Sequence, residues 1–222
     1  MIVLGLTGSI AMGKSTASAL FRREGVPVFC ADQTVHGLLG PGGAAVTAIE
    51  AAFPGVVAAG AVDRAQLAAK VFADPQALKR LEAIVHPLVI DAQERFLKAT
   101  ARRDSPLAVL DIPLLFEAGL DRLCDRIAVV SAPASVQYQR LVRRRTLDAV
   151  RIKATLARQM PDALKRRRAD FIIPSGQGRA LTRRVIVDII RTLKDNSRAT
   201  RTRARRPRHA GRRSLTKGPS LR

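Results

Sequence analysis

The chain is 222 residues long, 47% hydrophobic and only 4% aromatic, with no tryptophan and a formal net charge of +21. That length suits one substantial core, and it excludes a membrane span, because the apolar stretch 44–62 is broken by Glu50 and Pro54. No basic segment precedes the first apolar residues, and Cys30 and Cys124 are too few for a disulfide framework or a metal cluster, so a cytoplasmic protein is expected.

In chain order, residues 2–6 read as a short buried strand. They run into Gly8-Ser-Ile-Ala-Met-Gly-Lys-Ser15, followed by Thr16. This matches the phosphate-binding pattern G-x-x-x-x-G-K-[ST] without a gap. Glycines let the backbone of Gly8, Ser9, Ile10, Ala11, Met12 and Gly13 curl its N–H groups toward phosphates. Lys14 brings a positive charge to the β/γ-phosphates, and the Ser15 hydroxyl suits Mg²⁺. A helix over 15–23 opens at the loop and adds the anion-favouring end of its dipole.

A second strand is expected over 26–30, and Asp32 lies just past it. Open α/β sheets place ligands at this carboxyl edge. Local sequence fits Asp32 equally well as a general base or as a helix N-cap. A long helical insertion, 33–104, follows. Leu78, Leu81, Val85, Leu88, Ala92 and Phe96 form its apolar stripe, and Pro87 predicts a kink or break near His86. Residues 107–111 form a third strand that ends on Asp111. An acid closing an apolar strand resembles the Mg²⁺-holding Walker B arrangement; structural capping is the alternative.

Strands over 126–130 and 170–173 complete an α/β, five-stranded parallel sheet. A helix over 180–193 closes it, with Leu181, Val185, Ile189 and Leu193 at intervals of four. The excess charge is concentrated in two places. Residues 140–168 hold eleven Lys/Arg against Asp148 and Asp162, a net +9, in a second helical excursion. Some of the arginines within Arg140–Arg145, with Arg144 the weakest candidate, are expected to face phosphates, since guanidinium pairs bidentately with phosphate oxygens. Residues 195–222 carry nine Arg and one Lys against Asp195, also +9. With no apolar periodicity after Asn196, these residues read as a disordered basic tail. Weak binding of the tail to polyanions is the most it suggests, with no dedicated nucleic-acid partner.

The chain has no D-x-x-G switch and no N-K-x-D motif, and its single asparagine is Asn196, which argues against a GTPase. A compact sheet with two helical insertions is the architecture of a small-molecule kinase. Phosphoryl transfer there needs positioning, charge neutralisation and a group to take the acceptor's proton.

Several separated segments together resemble the dephospho-CoA kinase family. They are Gly5-Leu-Thr-Gly-Ser-Ile-Ala-Met-Gly-Lys-Ser-Thr16, Val26-Pro-Val-Phe-Cys-Ala-Asp32 with Gln33-Thr-Val-His36, and Leu81-Glu-Ala-Ile-Val-His-Pro-Leu88. Asp111-Ile-Pro-Leu-Leu-Phe-Glu117, Gln139-Arg-Leu-Val-Arg143, Gln159 and Ala169-Asp170 complete the set. The likeness covers about 1–193 and implies a P-loop kinase domain over 1–194 with a lid at 138–168. It implies phosphorylation of the ribose 3′-hydroxyl of dephospho-CoA with ATP and Mg²⁺, the last step of coenzyme A synthesis. By the same resemblance Asp32 is the catalytic base, with Lys14, Arg140 and Arg143 on the phosphates. His86, Pro87, Pro113, Leu114, Leu115, Phe116 and Glu117 then shape the acceptor pocket, and Ser15 and Asp111 serve the metal.

Three departures stand out. Cys30 replaces the first acid of the family's D-A-D segment, Ser9 and Ala11 stand where glycine is common, and Pro174-Ser175 occupies the place of an asparagine. Ala11 is the sharpest case, because alanine takes a positive φ only with strain. A nucleoside or nucleotide kinase is the rival within the enzyme class. An RNA-binding P-loop NTPase is the rival outside it, and the scarcity of aromatic residues for stacking counts against it.

Overall fold

The computed structural model describes residues 1–72, 74–143 and 159–205. Five parallel strands form the central sheet: β1 (Ile2–Thr7), β2 (Val28–Cys30), β5 (Leu107–Asp111), β6 (Arg126–Ser131) and β7 (Phe171–Pro174), in the order β2-β5-β1-β6-β7. Register aligns their carboxyl ends: Cys30 pairs with Asp111, Leu6 with Asp111, and Ser131 with Pro174. Everything emitted from those ends therefore converges on one edge of the sheet.

Alternation along the strands divides the core in two. On one face Leu4, Leu6, Leu107, Val109, Ala128 and Val130 pack against α1 (Lys14–Arg23) through Ala17, Leu20 and Phe21. The closing helix α8 (Arg179–Arg205) joins them through Ile186, Ile189, Ile190 and Leu193. On the other face Leu110, Ile112, Ile127 and Val129 meet Val89, Ala92, Phe96 and Leu97 of α5 (Pro75–Arg102). Short apolar runs buried on both faces are what parallel strands require.

The insertion has a core of its own. Leu39 of α2 (Ala31–Leu39), Ile49 of α3 (Val46–Ala52), Leu67 of α4 (Arg64–Phe72), and Ala77 and Val85 of α5 surround Phe53, Val56 and Val62. It is not wholly helical. Val57–Ala58 (β3) and Ala61–Val62 (β4) form a small antiparallel hairpin. Its two turn residues, Ala59 and Gly60, both have positive φ, 50° and 76°, as a primed hairpin turn demands. An alanine at the first of those positions hides the usual Asn-Gly signal.

Two helix expectations need correction. Of the kink or break expected near His86, the break does not occur: α5 is one helix through Pro87, because one lost N–H is outweighed by packing along the remaining turns. Its stripe is rotated at the start, where Ala77 is buried and Leu78 is 40% exposed. The closing helix passes 193 and continues to Arg205, so residues 195–205 are helical rather than irregular. Arginine and alanine are good helix formers, and an already packed helix needs no new nucleus to extend. The remainder of the tail and the part of the lid over 144–158, with Arg144, lie outside the described residues.

Candidate active site

β1 delivers the chain to the sheet edge, where the Thr7 hydroxyl donates to the Pro113 carbonyl at 2.8 Å. The loop then turns tightly, with the Met12 N–H on the Ser9 carbonyl at 3.1 Å. Gly13 has φ 89° and caps α1, and a Cβ there would stand 3.0 Å from Ser175 Oγ. Ala11 does take a left-handed conformation, φ 60°, while 7% exposed. The loop therefore carries strain at the position where glycine would relieve it. Among the described residues the N–H groups of Lys14 and Ser15 have no protein acceptor, as the first turn of a helix leaves them. They open on a cavity of about 260 Å³ lined by the loop, Asp32, Pro113 and Gln159.

Two carboxylates approach the loop. Asp111 is 2% exposed, and its Oδ1 lies 2.5 Å from Lys14 Nζ. It thus holds the loop lysine to the end of β5 and caps no helix. Asp32 sits in the first turn of α2, whose N-cap is Cys30, and its carboxylate has no partner among the described residues. The capping alternative is excluded by that geometry. Asp32 lines the phosphate cavity and also an adjoining groove of about 620 Å³ with Gln33, Val35, His36 and Arg64. Arg64 was not legible beforehand, since an arginine after Asp63 at a helix start looks like any solvated charge.

The arginines come from α6 (Ala134–Arg143), which follows β6. Arg140 and Arg143 line a third cleft of about 380 Å³ with Ala11, Gly13, Thr16 and the chain from Ser175 to Thr182. Arg140 is engaged by backbone. Its Nη1 donates to the Ala11 carbonyl at 3.2 Å and to Ser175 Oγ at 2.9 Å, and its Nη2 donates to the Ser175 carbonyl. Ser175 Oγ in turn donates to the Met12 carbonyl. The serine in place of asparagine therefore locks β7 to the phosphate loop. A guanidinium has five N–H donors, so Arg140 keeps some for a ligand.

The acceptor residues implied by resemblance separate into groups. Pro113 lines the phosphate cavity. Leu115 and Phe116 are 0% and 5% exposed within the core and line neither cavity nor groove. They support the wall from behind. Leu114 is 43% exposed, and His86 and Pro87 are exposed on α5 and do not line the two spaces that Asp32 lines. The Glu117 carboxylate is committed elsewhere, to Lys165 and to the Met160 N–H.

For Mg²⁺, the Ser15 hydroxyl and the Asp32 carboxylate are hard oxygen donors in the same cavity. Among the described residues no cluster of three or more His, Cys, Asp or Glu forms a protein cage. A donor set this sparse suits Mg²⁺ that arrives on nucleotide phosphates, its usual mode, so the residues fit the ion. Asp111, the other metal candidate, is paired with Lys14 in this structure. Among the described residues no helix is long and apolar enough to cross a membrane.

A phosphate loop on the central strand, faced by an unpaired carboxylate that follows the edge strand β2 and by arginines beyond β6, defines a P-loop small-molecule kinase. The family model for dephospho-CoA kinase matches residues 2–179. The chain belongs to the dephospho-CoA kinase family. The dephospho-CoA kinase of Paramagnetospirillum magneticum is 59% identical over 75% of this chain and 78% of that protein. That of Mesorhizobium japonicum is 50% identical over 87% and 98%. Among solved structures, one from Thermus thermophilus superposes with TM-score 0.74 at 33% identity, covering 86% of this chain and 96% of that one. The dephospho-CoA kinase from Campylobacter jejuni gives 0.62 at 25% identity, with the same coverage.

Proposed function

We propose that this chain transfers the γ-phosphoryl group of ATP to the ribose 3′-hydroxyl of dephospho-CoA, yielding coenzyme A and ADP. The observation that carries this reading is the position of Asp32, which lines the phosphate cavity and the adjoining groove together. A hydroxyl presented from the groove meets this carboxylate before it meets the phosphate, so Asp32 can take the proton as the new O–P bond forms. Lys14 and the unpaired N–H groups of Lys14 and Ser15 neutralise and orient the phosphates.

Mg²⁺, held by Ser15 and the nucleotide, would spread the charge on the β/γ-phosphates. Arg143 and the remaining donors of Arg140 reach the nucleotide from the third cleft. Arg64 and His36 supply cationic and polar groups to an acceptor that itself carries a diphosphate. The supply of ATP in the cytoplasm supports a location there.

ADP release should be measured with dephospho-CoA, adenosine, nucleoside monophosphates and shikimate offered separately. Turnover with dephospho-CoA at least a hundredfold above the others is expected. Preferential turnover of a nucleoside or a nucleoside monophosphate would replace this acceptor with that one.

A further inference from the structure

Glu117 ends the segment that follows β5, yet its contacts lead to the far side of the site. Its Oε1 accepts from the Met160 N–H at 2.8 Å and lies 2.9 Å from Lys165 Nζ. Lys165 belongs to α7 (Asp162–Arg167) and is 0% exposed, so Glu117 is its counter-charge in the interior. The Lys165 contact is an ion pair that lacks hydrogen-bond alignment. A neighbouring pair reinforces the junction. Arg168 donates to Asp121 at 2.7 Å and lies over the Phe116 ring at 4.5 Å.

Directly before Met160, Gln159 reaches the phosphate loop. Its Oε1 accepts from the Ile10 N–H at 2.9 Å, while Gln137 Nε2 donates to the Ile10 carbonyl at 2.9 Å. One residue of the loop, Ile10, is thus held through both its N–H and its carbonyl by amides from outside the loop. The Gln159 grip depends on where Met160 is held, and Met160 is held by Glu117.

We propose that Glu117 is a positioning residue for nucleotide binding: it fixes Met160 and Lys165 so that Gln159 holds the Ile10 peptide and keeps the phosphate loop in its ligand-ready curl. The inference deepens the kinase reading and rests on it. Two features make the device effective. Lys165 is fully buried and the Glu117 side chain is only 18% exposed, so the ammonium depends on this carboxylate for its counter-charge. The loop it steadies already bears strain at Ala11, so an unheld loop relaxes away from the phosphate-binding shape.

Removing Glu117 alone strands a buried ammonium and endangers folding, so the test uses the paired replacement Glu117→Leu with Lys165→Met beside Gln159→Ala. ATP·Mg²⁺ binding is measured by titration calorimetry with no acceptor present, and KM values are measured separately. Each variant is expected to weaken ATP binding on the order of tenfold, as a misplaced positioning element does, with KM for dephospho-CoA unchanged. Combining all three substitutions should add little to either loss, because both act through one contact. Unchanged ATP affinity overturns the proposal, whether the variant only loses thermal stability or instead raises KM for dephospho-CoA. Fully additive losses overturn it too, since Glu117 would then act by another route. Because the calorimetry needs no acceptor, an incorrect acceptor assignment appears only in the turnover assay.

Discussion

Lys14 Nζ lies 2.5 Å from Asp111 Oδ1, joining the phosphate loop to the last residue of β5 with side chains 14% and 3% exposed. Lys14→Met leaves that carboxylate buried without its counter-charge and should cost about 3 kcal/mol in urea unfolding. Turnover should collapse as well. Adding Asp111→Leu should recover most of the stability and none of the activity. A single variant as stable as the parent would show that the pair contributes nothing to the fold.

Asp32 has no hydrogen-bond or ion-pair partner among the described residues, so neutralising it removes chemistry and little structure. Asp32→Asn is expected to lower kcat by roughly 10²–10⁴-fold, the range of general-base catalysis. ATP affinity and the urea midpoint should stay near the parent values. Near-normal turnover would remove Asp32 from the proton-accepting role.

Ala11 holds φ 60° in the loop. A left-handed conformation costs a non-glycine residue about 1–2 kcal/mol, and glycine's greater backbone entropy offsets about 0.5–1 kcal/mol of the relief. Ala11→Gly should therefore raise stability by about 0.5 kcal/mol, seen as a small increase in Tm. A clear fall in Tm would mean that the loop is not strained there.

Glu117 titrates below its ordinary value of 4.5: burial pushes it up, but the Lys165 ammonium and the Met160 N–H outweigh burial and hold it down. A depressed carboxyl contributes stability above its unfolded pKa, and that contribution is lost as pH falls through the folded value. The stability gap between the parent and Glu117→Gln should accordingly be full near neutrality and shrink below about pH 4.5. Urea midpoints across that window read it directly. A gap independent of pH would refute the ionic role.

Cys124 is pushed up to about 12 by burial first, then by the Asp125 and Asp121 carboxylates. A thiol that remains protonated is a poor nucleophile. Iodoacetamide near pH 8.5 should leave Cys124 unmodified in the folded enzyme and label it in urea, as peptide mass mapping would show. Rapid labelling of the native protein would place this thiol in solvent.

The sheet was legible because it is written locally. Runs such as Leu107 to Asp111 are apolar on both faces, and the Gly8–Ser15 pattern carries its own chemistry. The hairpin at Val57 and Val62 was not legible, since two-residue strands have no periodicity to read. Nor was the extension of α8 past residue 193, where charge pointed to an irregular tail while propensity continued the helix.

What the sequence determined by itself was the succession of strands along the chain, the phosphate loop and the pairing of Lys14 and Ser15 with nucleotide chemistry. These depend on residues adjacent in the chain. Tertiary structure alone decided which side chains share a space. It joined Asp32 to both cavity and groove, bound Arg140 to the backbone at Ala11 and Ser175, and turned Glu117 toward Lys165, 48 positions later in the chain. Such contacts arise from the register of five strands and the burial of the elements between them, and no local pattern encodes that closure.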